Sequence, residues 1–102
     1  MAKFVYVFTG GQMAETPEAQ EESMQAWGAW FGTLGDAVVD MGNPFSAAAT
    51  VTSAGVTSGG SLQLGGYTIV SADSLEAATA LTAGCPVLAG GGTVEVCEAM
   101  PM

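Results

Sequence analysis

The sequence FVYVFT, Phe4 to Thr9, alternates three aromatic residues with two valines. Successive side chains of an extended chain point to opposite faces, so the rings share one face and the valines share the other. This alternation is typical of a β-strand. A strand with one wet face alternates apolar with polar residues, whereas both faces are apolar here. The pattern therefore predicts a central strand that is covered on both sides.

The stretch ETPEAQEE, residues 15–22, has the signals of a helix start. Thr16 is suited to the N-cap, Pro17 to the first helical position, and the glutamates to the positive end of the helix dipole. The acidic run lacks the ordered ligand spacing of a calcium loop. It therefore predicts a solvated helix face rather than a metal site.

Both tryptophans belong to this helix, which we expect to end at Gly35. Its apolar stripe, with steps of three and four residues, is formed by Met24, Trp27, Phe31 and Leu34. At about 100° per residue, Trp30 lies to one side of that stripe. We expect Trp27 and Phe31 in the core and Trp30 at the rim. There the Trp30 ring either forms a pocket wall or only seals the helix edge against the sheet.

Alternation and turn residues predict the remaining strands at Asp36–Met41, Ala49–Thr52, Tyr67–Ala72 and Thr93–Glu98. In the first of these, residues 37, 39 and 41 are expected to point inward. Turns are predicted at Gly10 with Gly11 and at GNPFS, residues 42–46, and an exposed hairpin tip at Ser53–Ser61.

The stretch ADSLEAATALTAG, residues 72–84, predicts a second helix with Asp73 or Ser74 as its N-cap and Gly84 at its end. Its apolar stripe is formed by Leu75, Ala78 and Leu81.

The order strand-helix-strand, hairpin, strand-helix-strand predicts one α+β domain over residues 1–102. We expect a ferredoxin-like sandwich, in which an antiparallel sheet carries two helices on one face. Only 11% of the residues are charged, against about 25% in a typical soluble domain, and 49% are hydrophobic. Because the other face of the sheet also needs cover, we expect a homodimer through that face.

The charge balance limits the partners. The chain has one Lys or Arg, ten Asp and Glu, and no His, for a net charge of -9. This balance disfavours nucleic acids, anionic membrane surfaces and ligands held by a phosphate, so neither a nucleic acid nor a membrane is expected as a partner. The glycine-rich stretches TGGQ and AGGGT lack the spacing and the cation of a phosphate loop.

No signal peptide or membrane span is predicted, so a cytoplasmic location is expected. Cys85 and Cys97 are then expected to be reduced, buried thiols.

The sequence LGGYTIVSADSLEAATALTAGCP, residues 64–86, followed by GGGTVEV, residues 90–96, resembles the strand-helix-strand segment of the YCII-related family, including its DGPF-type members. The resemblance implies a dimeric ferredoxin-like domain of the dimeric α-β barrel type, with a pocket beside the sheet near the dimer interface. Enzymes of the family use a histidine and aspartate pair, which a chain without histidine lacks. The TDGPF signature is replaced by TSGGSLQLGG, residues 57–66.

The candidates for catalysis are carboxylates. Asp40 and Glu95 are each a potential general base if burial raises the pKa, and the alternative places each at a strand edge in water. Cys85 follows the negative end of a helix, which disfavours a nucleophilic thiolate. The two cysteines lack the further ligands of a zinc site, and serine triads lack their histidine.

A pocket is predicted from residues that combine rings with a few polar groups: Thr9, Trp30, Asn43, Phe45 and Tyr67. Such a cavity suits a small neutral organic ligand, although the same residues are also suited to packing a dimer interface. We therefore expect a homodimer that binds a small neutral or aromatic metabolite without metal or nucleotide. The alternatives are an inert dimerisation or regulatory domain, and a cofactor-free lyase-like or isomerase-like enzyme that uses a carboxylate.

Overall fold

The structure, a computed structural model, describes residues 2–10, 15–58 and 64–101. Its strands are β1 (Ala2–Thr9), β2 (Val38–Asp40), β3 (Ala49–Thr52), β4 (Gly55–Ser58), β5 (Leu64–Ala72) and β6 (Thr93–Glu98). Its helices are α1 (Pro17–Leu34), α2 (Leu75–Ala80) and α3 (Pro86–Ala89). The predicted α+β class and the antiparallel sheet are confirmed.

Four strands form one sheet in the order β2-β5-β1-β6, and β3 pairs with β4 in a separate two-stranded sheet. All pairs in the larger sheet are antiparallel, and β1 lies between β5 and β6. The predicted central position of the first strand is therefore confirmed.

The three helices pack on the face of the larger sheet that carries the rings of β1. The buried core consists of Phe4, Tyr6, Phe8, Trp30, Leu34, Val70, Ala72, Ala78 and Cys85, together with the buried polar residue Thr68. The opposite face, which we call the open face, carries Val5, Val7, Tyr67 and Ile69 near its centre. These four side chains are only half-buried, and none of the described helices covers them.

Two buried aromatic side chains fasten α2 to the rest of the core. The Tyr6 hydroxyl donates a hydrogen bond to the Ala78 carbonyl, and Trp30 Nε1 donates to the Leu81 carbonyl at 3.1 Å. Both carbonyls belong to the end of α2, where no basic side chain is present to donate a hydrogen bond to them. The Tyr6 hydroxyl and the Trp30 N–H therefore satisfy carbonyl groups that have no partner within the helix.

Local signals place the helix ends as predicted. Thr16 Oγ1 accepts a hydrogen bond from the Ala19 amide at 3.1 Å, and Pro17 is the first helical residue. Gly35 ends α1 with a φ of 55°. Of the two caps predicted for α2, Ser74 is the one observed, since its hydroxyl accepts from the Ala77 amide at 3.0 Å. The helix ends at Ala80, earlier than predicted, and turns lead to Gly84.

The predicted position of Trp30 at the helix rim is wrong. Its side chain is 3% exposed, whereas Met24 of the predicted stripe is 75% exposed. The reason is that residues 27, 30, 31 and 34 form a second apolar stripe with helical spacing. The large Trp30 ring gains more from burial than a methionine does, and its N–H finds a partner inside the core.

The second strand is shorter than predicted, because a 3-10 turn occupies Gly35–Ala37. The orientation of Val38 and Val39 is also the reverse of the prediction. Val38 lies opposite Val70 and packs against the core, while Val39 is 50% exposed. A shift of one residue moves every side chain of a strand to the other face, which explains the reversal.

The hairpin differs from the prediction in its return strand. β3 has the predicted bounds, but β4 occupies part of the predicted tip. Residues 59–61 of that tip lie outside the described residues. Gly11 of the predicted first turn also lies outside them. Val51 lies opposite Val56 across the hairpin, and these side chains are 73% and 67% exposed. The predicted bounds of β6 are confirmed, whereas β5 begins at Leu64 and the loop before β6 contains α3.

We expect the stability of the fold to decrease between about pH 10 and pH 12. Burial, with a smaller contribution from the neighbouring Cys85, raises the pKa of Tyr6 from 10.0 to about 12. The unfolded chain loses this proton at the lower pH, so the stabilisation is present below pH 10 and is lost as the pH approaches 12. Chemical denaturation at each pH should show this decrease, and Tyr6→Phe should flatten it. At neutral pH the same variant should lose about 1–2 kcal/mol, because the Ala78 carbonyl loses its donor.

A Tyr67→Phe background leaves Tyr6 as the remaining tyrosine, so the tyrosinate absorbance then reports Tyr6 directly. A titration midpoint near pH 10 in a chain that is still folded by circular dichroism would contradict the prediction.

Candidate functional site

A cavity of about 630 Å³ lies between α1 and the sheet, at the end where β1 finishes and β5 begins. Its walls come from α1, from residues 41–44, from residues 65–68 and from α3 with Gly90, and Phe8 and Gly10 complete it. Ligand cavities in proteins have volumes of about 300–1,000 Å³. The cavity is therefore large enough for a small organic molecule.

Aromatic rings form much of the wall. Phe8, Trp27 and Phe31 line the cavity with their rings, and Tyr67 also borders it, although its ring lies on the open face of the sheet. The rings of Phe8 and Trp27 meet edge to face, with centroids 5.0 Å apart and an interplanar angle of 74°. Trp27 is half-buried, so part of its indole packs against Phe8 and part remains accessible. The arrangement favours an apolar or aromatic ligand.

Few polar side chains face this cavity. Apart from Tyr67, whose side chain lies on the open face, the polar residues of its described lining are Ser23, Asn43 and Thr68. The Thr68 hydroxyl is buried and donates a hydrogen bond to the Met41 carbonyl at 2.9 Å. Ser23 and Asn43 are exposed and lie on opposite walls, one on α1 and one in the turn after β2. They are the polar groups best placed to orient a ligand.

Two glycines hold the turn after β2 close to β5. A Cβ on Gly42, whose φ is +74°, would lie 1.7 Å from the Tyr67 carbonyl oxygen, and one on Gly66 would lie 2.8 Å from the Asn43 carbonyl oxygen. The close approach allows the Phe45 amide to donate to the Gly65 carbonyl at 2.8 Å and the Tyr67 amide to donate to the Asn43 carbonyl at 3.3 Å. This contact positions Asn43 at the cavity.

The structure brings together three of the five residues predicted to bind a ligand. Asn43 and Tyr67 are lining residues of the cavity, although the Tyr67 ring lies on the open face, where the Phe45 ring stacks on it with centroids 5.9 Å apart. Trp30 is inside the core, where it contacts Trp27 from behind at a centroid distance of 5.7 Å. Thr9 is not among the lining residues of the cavity. Its side chain lies on the open face, where its hydroxyl is hydrogen-bonded to the hydroxyl of Thr93.

Two rings of α1, Trp27 and Phe31, face the cavity although the spacing of the sequence predicts only a place in the core for them. One signal for this wall is Gly28, which lines the cavity from the interior of a helix. A Cβ at this position would have no atom within 4 Å, so close packing does not require the glycine. A glycine inside a helix is unfavourable by about 1 kcal/mol relative to alanine. The absence of a side chain at Gly28 leaves open space in the wall beside Trp27.

The two candidate carboxylates lie outside the described lining of the cavity. Asp40 is exposed, and its Oδ1 accepts a hydrogen bond from the Gly42 amide at 2.8 Å, which stabilises the turn. Glu95 is exposed on β6, opposite Val7 on the open face. Both positions correspond to the alternative of a carboxylate in water at the edge of the sheet.

The cysteines differ in their surroundings, and both are free. Cys85 is buried, and burial raises the pKa of its thiol, which disfavours a nucleophilic thiolate. The predicted burial of Cys97 is wrong, since it lies exposed on the open face opposite Val5. The reason is that no described helix covers this face at the edge strand β6.

Among residues 2–10, 15–58 and 64–101, no three His, Cys, Asp or Glu side chains form a group able to hold a metal ion. Within the same ranges, no helix is both long and apolar enough to cross a membrane.

Comparison of the chain with models of protein families finds no match, and comparisons with curated proteins and with solved structures find no significant similarity.

A matched pair of variants tests the interpretation of the α1 glycines. Gly28 and Gly32 both have open space where the methyl group of an alanine would lie, but only Gly28 is among the residues that line the cavity. We expect Gly28→Ala and Gly32→Ala each to raise the free energy of unfolding by up to about 1 kcal/mol, because alanine favours the helix. Urea denaturation measures both changes. A loss of stability in either variant would contradict the assigned open space.

Proposed function

We propose that this chain binds a small neutral or aromatic metabolite, without metal or nucleotide, in the cavity beneath α1. The observation that carries the proposal is the composition of the cavity wall. The rings of Phe8, Trp27 and Phe31 line a space of about 630 Å³, and none of its described lining residues is charged. A mostly apolar cavity with a few polar groups is the usual form of a small-molecule site.

We further propose a ferredoxin-like domain of the dimeric α-β barrel type, related to the YCII-related family that the sequence resembles. The strand order β2-β5-β1-β6, with the described helices on one face, supports this assignment. A cytoplasmic location belongs to the same proposal, since free cysteines suit a reducing compartment.

The open face supports a homodimer as the functional form. Four half-buried residues, Val5, Val7, Tyr67 and Ile69, form its apolar centre, and Phe45 extends it by stacking on Tyr67. A second copy placed on this face would remove these side chains from water, and burial of apolar area is the main favourable term in association.

The exposed valine pair of the hairpin favours a second candidate function, that of a dimerisation or regulatory domain without a ligand. A lone two-stranded hairpin is marginally stable in water, so Val51 and Val56 suit a contact with another chain. The enzymatic alternative has less support, because neither Asp40 nor Glu95 is among the residues that line the cavity.

The two tryptophans give a direct test of ligand binding. We expect a panel of neutral aromatic compounds to shift the indole N–H resonance of Trp27 saturably in an NMR titration. The Trp30 resonance should move less, because this N–H is bonded to the Leu81 carbonyl in the core. Trp27→Phe assigns the two signals. Gly28→Ala should weaken binding by partly filling the cavity, whereas Gly32→Ala should not.

Binding would be excluded for this panel if no compound moves the Trp27 resonance. Native mass spectrometry of gently purified protein, which detects a retained molecule as extra mass, then provides a second opportunity to find a ligand. A clean spectrum together with a silent panel would favour the dimerisation function.

The dimer has a separate test. We expect sedimentation at micromolar concentration to give a dimer, and Val7→Lys to shift it toward monomer by placing a charge at the centre of the open face. Leu75→Lys is the matched control, since it adds the same charge to a half-exposed position on α2. A wild-type monomer, or equal effects of the two substitutions, would contradict a dimer through the open face.

A further inference from the structure

We infer that the cavity selects its ligand by charge, accepting an aromatic amine in its ammonium form in preference to the neutral alcohol and rejecting the carboxylate of the same ring. This inference rests on the proposed binding function and adds the chemical class of the ligand. It follows from the positions of the charges in the chain, from the rings of the wall, and from one carboxylate beside the lining residue Met24.

An anionic ligand would find no cation to pair with in the cavity. The whole chain contains one Lys or Arg and no His, and the one cationic side chain is Lys3. Lys3 is exposed near the start of β1, whereas the cavity lies at the opposite end, beside Phe8 and Gly10. Lys3 and Phe8 are five positions apart on the strand, a distance of about 17 Å at roughly 3.4 Å per residue. A carboxylate placed among the rings would therefore lose its hydration without gaining a salt bridge.

The chain as a whole repels anions and attracts cations. Its net charge is -9, and ten carboxylates contribute to the field around it. A summed charge of this size raises the local concentration of ligands of opposite sign, and salt screens the effect. The described cavity wall adds no positive side chain that would offset this field.

The rings supply a specific contact for an ammonium group. The electron-rich faces of Trp, Tyr and Phe attract a cation that lies within about 6 Å of the ring centroid. Trp27 and Phe31 line the cavity, and the Trp27 indole is the strongest cation binder of these ring types. The neutral alcohol gains the same apolar burial but lacks this attraction.

A carboxylate also lies beside Met24, one of the residues that line the cavity. Met24 lines the cavity and also borders a shallow depression along the first turns of α1, whose one charged residue is Glu21. Residues three apart on a helix are neighbours on its surface, so Glu21 and Met24 adjoin each other. The positive end of the α1 dipole, about half a charge, opposes a cation here, but Glu18, Glu21 and Glu22 outweigh it. Glu21 is thus placed to attract the ammonium group of a ligand that enters past Met24.

Three probes with the same ring test this inference: phenethylamine, 2-phenylethanol and phenylacetate. The Trp27 indole resonance measures the affinity of each at low ionic strength. We expect the amine to bind at least about fivefold more tightly than the alcohol, which corresponds to a cation contact with a ring. The carboxylate should bind at least about tenfold more weakly than the alcohol, because its charge is buried unpaired. Added salt should reduce the advantage of the amine and leave the alcohol unchanged.

Glu21→Gln and Glu76→Gln separate the local charge from the total charge, since each changes the net charge by one and Glu76 lies on α2. The first substitution should remove most of the amine's advantage over the alcohol, and the second should preserve it. Equal effects of the two would overturn the role of Glu21.

The outcomes distinguish this inference from the proposed function. Equal affinities for the three probes, or tightest binding of phenylacetate, would overturn selection by charge while the binding function stands. If none of the probes moves the Trp27 resonance, both the binding of aromatic compounds and the selection by charge are contradicted.

Discussion

Two hydrogen bonds from buried rings to the end of α2 hold the rest of the structure in place. Tyr6 on the central strand and Trp30 on α1 donate to the carbonyls of Ala78 and Leu81. One strand and two helices are therefore joined at a single point inside the core. Because Trp30 is fixed there, the rotation of α1 about its axis is fixed as well, and Trp27 is presented to the cavity. The wall of the candidate site is thus a consequence of how the core satisfies two helix carbonyls.

Much of the fold was predictable because its signals are local. The ends of α1 follow from Thr16, Pro17 and Gly35, and each acts within its own turn of helix. The rotation of α1 was not predictable in the same way. Two overlapping apolar stripes are present in the sequence, and the choice between them depends on a carbonyl 51 residues further along the chain. Spacing along one helix contains no information about such a partner.

The candidate site was predictable in part, because some of its signals are also local. Asn43 and Phe45 belong to a turn that the sequence indicates, and Tyr67 to the strand beside it, so their proximity follows from the topology. The prediction that Thr9 lines the pocket was wrong, because every second side chain of β1 points to the open face. Thr9 lies there together with Val5 and Val7. The position of a residue along a strand indicates which end of the sheet it occupies. Which face its side chain occupies depends on the alternation of side chains along the strand.

The edges of the four-stranded sheet limit how copies of this chain meet. At one edge β2 has only three residues, and the bridge that continues it pairs Pro44, which has no N–H, with Gly66. At the other edge β6 carries Glu95 and Glu98, so an identical strand laid alongside would bring like charges together. Short, charged or proline-bearing edges resist the addition of further strands. The larger sheet is thereby protected against the side-by-side growth that leads to fibres.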